Sequence, residues 1–166
     1  MKNWGKILYL FALLTFIVIN MGCNRSEFYP ESDIKVIKVE PFNIIPTSSS
    51  LAEVEDAVVT LQLLNTVPCN LLSYDLTFRT VQNDSIDNLN MYDVPISIPL
   101  TTAGEDVEVT LKPYTQQLFD LYDSSVSSIS PVRATFKLYF KDVNKNEIIK
   151  EANFLLYKYE ESSSDS

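Results

Sequence analysis

The chain has 166 residues, of which 46% are hydrophobic and 21% are charged, and it contains only 3 glycines. This length and apolar content are typical of one globular domain and exclude a large multidomain machine. The 13 Lys and Arg against 22 Asp and Glu give a net charge of −9, the wrong sign for holding a phosphate backbone, so no nucleic-acid partner is expected. Because the sequence has no histidine, it excludes His-based triads, His general bases and imidazole metal sites.

The N-terminus has the layout of a secretory signal. Two lysines and no acid lie in the first six residues, and an apolar stretch runs from Ile7 to Ile19. The stretch is shorter than the roughly 20 residues that a bilayer-spanning helix needs, and it fits the hydrophobic region of a signal peptide. The sequence therefore predicts a signal peptide over residues 1–22.

Gly22 and Cys23 follow this stretch directly. The pair resembles the lipobox of bacterial lipoproteins, in which a small residue precedes a cysteine that is acylated and becomes the new N-terminus. Asn20 stands where that family usually has an aliphatic residue. The resemblance implies cleavage between Gly22 and Cys23, lipidation of Cys23, and a membrane as partner through the lipid. The alternative is an ordinary secretory signal, which would leave Cys23 free to pair with Cys69 in an oxidising compartment.

Both ends of the remaining chain are polar. Residues 23–33 show no hydrophobic periodicity and predict a lipidated N-terminus with a flexible tether, which reaches at most about 35–40 Å when extended. Residues 160–166 predict a disordered acidic and serine-rich tail. Asn24 after the cysteine resembles the outer-membrane sorting signal of proteobacterial lipoproteins. The expected location is therefore the bacterial cell envelope, outside the cytoplasm, with the protein lipid-anchored to the outer membrane.

Residues 34–159 predict a β-sandwich domain. Several segments alternate apolar and polar residues, which is typical of half-buried strands. The apolar sides of these segments are Val59, Leu61 and Leu63; Leu72, Tyr74, Leu76 and Phe78; Val107, Val109 and Leu111; and Val132, Ala134, Phe136, Leu138 and Phe140. The segments Ile34 to Val39 and Ile148 to Tyr159 are also rich in β-formers. Val94 to Leu100 contains two prolines and predicts an edge strand.

Only one segment, Tyr114 to Tyr122, has helical spacing. Turn signals separate the strands at intervals typical of all-β domains. The sequence therefore predicts an all-β fold, an immunoglobulin-like or fibronectin type III-like antiparallel sandwich of about seven strands with one short helical segment.

Two family resemblances bear on this domain. The first is carried by Leu61 to Pro68, Tyr74 to Leu76, Ile98-Pro99 with Gly104, Val107 to Val109, and Leu118 with Leu121. This order resembles the late-embryogenesis-abundant group 2, or water-stress, domain and implies a desiccation-protective variant of the function. The chain departs from that family in having Asn65-Thr-Val-Pro68 where an Asn-Pro pair is usual. The chain is also similar to bacterial lipoproteins with a single immunoglobulin-like domain. Neither resemblance implies a catalytic site.

The sequence shows no chemistry that points to an enzyme. Gly104 is the sole glycine after residue 22, so a glycine-rich phosphate loop and a nucleophile elbow are excluded, and no cofactor is expected. Cys69 has no histidine to activate it and is interpreted as a half-buried inert thiol. No small-molecule substrate is evident. The enzymatic alternative is a hydrolase with a pair of carboxylates, for which 22 acids leave many combinations.

One loop resembles the opening of a calcium site. Asp142, Asn144 and Asn146 place oxygen ligands at alternate positions, with Glu147 next. Glu147 stands where the EF-hand loop turns on glycine, so a polar hairpin turn is the favoured interpretation. A calcium-dependent adhesion module that uses residues 142–147 is the alternative.

The leading functional hypothesis is a non-enzymatic binding or envelope-structural module with an envelope protein as partner. Ile96 and Ile98 are candidate contact residues, because they lie on the predicted edge strand between Pro95 and Pro99, where a partner strand could be added. The alternative is that these prolines only prevent aggregation.

Overall fold

The computed structural model describes residues 29–46, 50–124 and 129–158. The chain divides into two units after Glu31, and the helices and strands of the described part all lie in the second unit, Ser32–Ser166. The predicted signal peptide, Cys23, most of the tether and the acidic tail lie outside the described residues. In the described part, no helix is long and apolar enough to cross a membrane.

The described part of the chain contains eight strands, one α-helix and two single-turn 3-10 helices, Leu51–Glu53 and Asp87–Leu89. The strands are β1 (Ile34–Glu40), β2 (Asn43–Ile44), β3 (Ala57–Leu63), β4 (Cys69–Thr80), β5 (Met91–Leu100), β6 (Asp106–Leu111), β7 (Val132–Asp142) and β8 (Glu147–Leu156), and α1 spans Gln116–Asp123. They form a three-stranded sheet, β1-β3-β6, and a five-stranded sheet, β2-β8-β7-β4-β5. Among the strands of the described residues, β2 alone pairs in parallel, with β8, and the other strand pairs are antiparallel. The predicted all-β, two-sheet fold is confirmed, while its immunoglobulin or fibronectin type III character stays a prediction.

The hydrophobic core follows the period-two pattern of the sequence. All five apolar positions of β7, from Val132 to Phe140, are buried, as are the three predicted positions of β3, which are Val59, Leu61 and Leu63. The ring of Phe136 packs edge-to-face against Phe154 at 5.1 Å and against Tyr74 at 5.4 Å between ring centroids. These aromatic contacts add to the burial of apolar area that drives the two sheets together.

The predicted position of Leu72 is wrong. Leu71 pairs with Phe140 and Ser73 pairs with Tyr139, so Leu72 is an extra residue in β4. Leu71 is therefore fully buried, while Leu72 is 43% exposed on the outer face of the five-stranded sheet. A β-bulge of this kind changes the phase of the alternation within one strand. The regular alternation on the C-terminal side of Leu72, when it is extended back to Leu72, predicts a core position. It does not indicate the bulge.

The predicted helical segment is confirmed as α1. The Thr115 hydroxyl accepts a hydrogen bond from the backbone N–H of Leu118 at 3.1 Å and caps the helix. Two tyrosines hold the helix region to the end of β8: Tyr114 donates to the Tyr157 carbonyl at 2.6 Å, and Tyr122 donates to the Leu156 carbonyl at 3.3 Å. Burial raises the pKa of both phenols, so they remain donors at all ordinary pH values.

Replacing Phe136 with alanine tests the assignment of the two faces of β7. We expect Phe136→Ala to lower the free energy of unfolding by about 3–5 kcal/mol, because it empties a fully buried aromatic site. The matched control Arg133→Ala, at an exposed position of the same strand, is expected to change it by less than about 0.5 kcal/mol. Urea unfolding of the full chain in nonionic detergent measures both, and equal losses would contradict the assignment.

Candidate functional site

A cavity of about 480 Å³ opens on the outer face of the five-stranded sheet. Residues of β4, β5, β7 and β8 line it, so four neighbouring strands build one concave surface. Its volume falls in the range of about 300–1,000 Å³ that is usual for small-molecule sites. This cavity is the candidate functional site.

The floor of the cavity is a hydrogen-bonded group centred on Asp75. The Tyr139 hydroxyl donates to Oδ2 of Asp75 at 2.5 Å, and the backbone N–H of Asp93 donates to Oδ1 at 2.9 Å. One carboxylate on β4 thus links β7 on one side to β5 on the other. The hydrogen bond to Asp75, with burial and the charges of Asp75, Asp93 and Glu151, raises the pKa of Tyr139 to about 12. Tyr139 is therefore a fixed hydrogen-bond donor at neutral pH.

Irregular strand pairing shapes the cavity on two sides. On β4, Leu72 is the bulged residue. On β5, the pairing shifts between Val94 and Met91, and Asp93 in that interval has a φ of 52°. Left-handed backbone is unfavourable for most residues, and aspartate is one of the few types that tolerate it. Bulges re-aim side chains next to binding sites, and here they bring Leu72, Tyr92 and Asp93 to the cavity.

The rim combines apolar side chains with an excess of carboxylates. Leu72, Tyr92 and Ile149 are all exposed. The charged lining residues are Asp75, Asp93 and Glu147 against the single cation Lys141. Within the described ranges, none of these four forms an ion pair within 4.0 Å. The ammonium nitrogen of Lys137 lies 5.6 Å from the centroid of the Tyr139 ring.

The structure divides the candidate calcium residues between two places. The buried carboxylate of Asp142 accepts hydrogen bonds from the Asn146 backbone N–H at 2.8 Å, from Nδ2 of Asn146 at 2.9 Å and from the Ser32 backbone N–H at 3.2 Å. Asn144 lies in the same loop and donates its backbone N–H to Asp142. Glu147 instead begins β8 and lines the cavity.

The Asp142 carboxylate therefore acts as the cap of a hairpin turn. Lys145 completes the turn. Its backbone has a φ of 67°, and its backbone N–H donates to the Asp142 carbonyl at 3.0 Å. Burial raises the pKa of Asp142, but the hydrogen bonds from Asn146, Ser32 and Asn144 outweigh it and hold the pKa below its usual value. No group of three or more acidic or cysteine side chains within the described part of the chain could hold a metal ion.

Ile96 and Ile98 lie on β5, which is an edge strand as predicted. Their side chains are half-buried and pack against the hydrophobic core. A partner strand could therefore reach only the free backbone of this edge, where Pro95 and Pro99 provide no N–H. Contact through Ile96 and Ile98 stays a prediction.

Cys69 is a free and buried thiol. Burial raises its pKa, and a hydrogen bond with Ser32 opposes that effect only in part. The thiolate is therefore scarce at neutral pH, which agrees with an inert role for this side chain.

The chemistry of the cavity suits binding more than proton transfer. The three carboxylates Asp75, Asp93 and Glu147 are the kind of group that the hydrolase alternative requires. Asp75, however, already accepts two hydrogen bonds, and Asp93 and Glu147 are exposed to solvent. A general acid works best when burial disfavours its charge, and neither exposed carboxylate has such an environment.

The sequence does not reveal this cavity. Asp75 and Tyr139 appear in it only as polar positions of two regular strands that are 64 residues apart. The one local signal is the Leu71-Leu72 pair, which interrupts the alternation at the start of β4. Tyr92 and Asp93 precede the predicted strand segment that contains Pro95, and the sequence does not show which way their side chains point.

No protein-family model matches the chain, and no curated protein matches it.

Asp142→Asn tests the role of the buried turn carboxylate. We expect the free energy of unfolding at pH 7 to fall by about 1–3 kcal/mol, because a charged acceptor of several hydrogen bonds is lost. The folded pKa lies below the unfolded value of about 3.8, so the stabilisation is complete above that value and is lost as the pH falls through the folded pKa. The difference between wild type and variant should be constant above about pH 5 and shrink in stronger acid. Urea unfolding across this pH range measures it, with Glu105→Gln as the exposed control; an equal difference at all pH values would contradict this role.

Asp75→Asn tests the floor of the cavity. Because the hydrogen bond to Asp75 is the largest cause of the Tyr139 shift, we expect the pKa of Tyr139 to fall from about 12 toward 10.0 in the variant. The ¹³Cζ resonance of Tyr139, followed by NMR against pH, reports this pKa directly. Asp84→Asn, on an exposed loop, is the control and should leave it unchanged. The same pKa in both variants would show that Asp75 is not the partner of Tyr139.

Proposed function

We propose that the chain is a lipid-anchored, non-enzymatic binding module of the bacterial cell envelope whose ligand site is the cavity on the five-stranded sheet. The observation that carries the proposal is the construction of this cavity from two strand irregularities. The bulge at Leu72 and the left-handed backbone at Asp93 converge on one concave surface. Such features persist where the surrounding structure holds them, and they concentrate at ligand sites.

The polar floor and apolar rim support a binding role. Asp75 and Tyr139 fix each other by a hydrogen bond, so the floor is ordered before a ligand arrives. Leu72, Tyr92 and Ile149 leave apolar area in water around that floor. Clustered exposed apolar groups beside a few oriented polar groups are typical of ligand sites.

The location outside the cytoplasm rests on the sequence. The Gly22-Cys23 pair after a short apolar stretch supports acylation at Cys23, and each buried acyl methylene adds about 0.8 kcal/mol of membrane affinity. The chain enters the domain at Ser32, whose backbone N–H bonds Asp142 and whose hydroxyl donates to the Val67 carbonyl at 2.7 Å. The tether in this proposal therefore ends at a fixed point beside the β7–β8 hairpin, which also borders the cavity.

Mass spectrometry of the N-terminal peptide tests the anchor. The full chain is expressed in a bacterium and recovered from the membrane fraction. We expect the mature peptide to begin at Cys23 and to carry the added mass of acyl chains, whereas the Cys23→Ser variant should keep residues 1–22 and lack that mass. An unmodified Cys23 would overturn the anchored part of the proposal.

A further inference from the structure

We infer that the cavity binds an organic cation, a protonated amine or a guanidinium carried on an apolar stem. The inference rests on the proposed function, in that it takes this cavity as the ligand site. It adds the chemical class of the ligand, which neither the sequence nor the proposed function supplies. Three features of the lining carry it: the sign of the charge, the aromatic ring at the floor, and the apolar rim.

The charge of the lining is negative. Asp75, Asp93 and Glu147 line the cavity with Lys141, and a second ammonium, that of Lys137, lies 5.6 Å from the Tyr139 ring, so carboxylates outnumber ammonium groups by one. Among the residues that the structure describes, no ion pair within 4.0 Å neutralises any of the three carboxylates. Carboxylates in a partly enclosed surface focus the field on the space between them. That field attracts a cation and repels an anion.

The Tyr139 ring is already positioned for a cation. Its hydroxyl hydrogen points to Asp75, so the phenol presents to a ligand its oxygen lone pairs and its ring. Lys137 places an ammonium 5.6 Å from the ring centroid, within the range of a cation–π interaction. Lys137 takes one contact with this ring, so a ligand cation would also meet Tyr92, the exposed ring at the rim.

The apolar rim fits the stem of such a ligand. Leu72 and Ile149 are exposed on strands β4 and β8, on either side of β7, which carries Tyr139. An alkyl stem lying between them would remove apolar area from water, at about 25 cal/mol per Å².

A matched pair of probes tests the charge. Butylguanidinium and N-butylurea have nearly the same shape, and only the first is charged. Each is titrated into the isotope-labelled full chain in nonionic detergent, and the backbone amide shifts are followed by NMR. We expect butylguanidinium to shift the amides of Leu72, Asp93 and Ile149 in a saturable way and to bind at least about tenfold more tightly than N-butylurea.

Asp93→Asn is the test variant, because asparagine also tolerates left-handed backbone and should keep the fold. We expect it to weaken butylguanidinium binding about fivefold or more. Glu108→Gln removes the same charge from an exposed position on β6, in the other sheet, and should leave the affinity unchanged. Equal effects of the two variants would show that only the net charge matters and would overturn the inference.

The outcomes separate the inference from the proposed function. If both probes shift the amide resonances at the cavity in a saturable way and with equal affinity, the cavity remains a ligand site and the assignment of a cationic ligand is overturned. Shifts elsewhere on the domain, or none with either probe, would overturn both the cationic class and the use of this cavity, while the Cys23 mass still decides the anchor. A second titration compares acetyl-Gly-Arg-Gly-amide with the same peptide carrying citrulline in place of arginine. Tighter binding of the arginine peptide than of butylguanidinium would indicate a basic peptide side chain as ligand, and weaker binding would indicate a free cation. Tighter binding of the arginine peptide than of the citrulline peptide supports the inference.

Discussion

The antiparallel ladder between β4 and β7 fixes which side chains face the core and which face solvent in the five-stranded sheet. It runs through the middle of the five-stranded sheet, from Cys69 opposite Asp142 to Thr80 opposite Val132. Because side chains alternate between the two faces of a strand, the same ladder must place apolar side chains in the core on one face and polar side chains in solvent on the other. On the inner face Phe136 is buried and packs against the half-buried Tyr74 and against Phe154 of β8. On the outer face the same ladder holds Asp75 against Tyr139.

The ladder is regular where it builds the core and irregular where it builds the cavity. Leu72 is inserted between two residues that keep their partners, so the inner face continues without a gap while the outer face gains an exposed apolar side chain. On β5, the shift near Asp93 adds a backbone donor to the Asp75 carboxylate. The core and the candidate site are therefore separate consequences of one strand pair, and the outer face can change with little cost to the inner one.

The sequence predicts the features that depend on local hydrophobic periodicity. It does not predict the features that depend on pairing between distant strands. The alternation of β7 identifies its buried positions, the prolines of β5 identify an edge strand, and the spacing around Leu118 identifies the helix. The insertion of Leu72 depends on which residue of β7 each residue of β4 meets, and no period in β4 contains that information. Asp142 presents a ligand-like pattern in sequence, but its oxygens are used by a turn and by Ser32, which is 110 residues away.

Deletion of Leu72 shows whether the core and the cavity can be separated within this ladder. The deletion leaves Leu71 opposite Phe140 and Ser73 opposite Tyr139, so the alternation of β4 becomes continuous. We expect cooperative urea unfolding of the full chain within about 1–3 kcal/mol of wild type, with butylguanidinium binding weakened. Loss of cooperative unfolding, or a folded protein with unchanged binding, would contradict it.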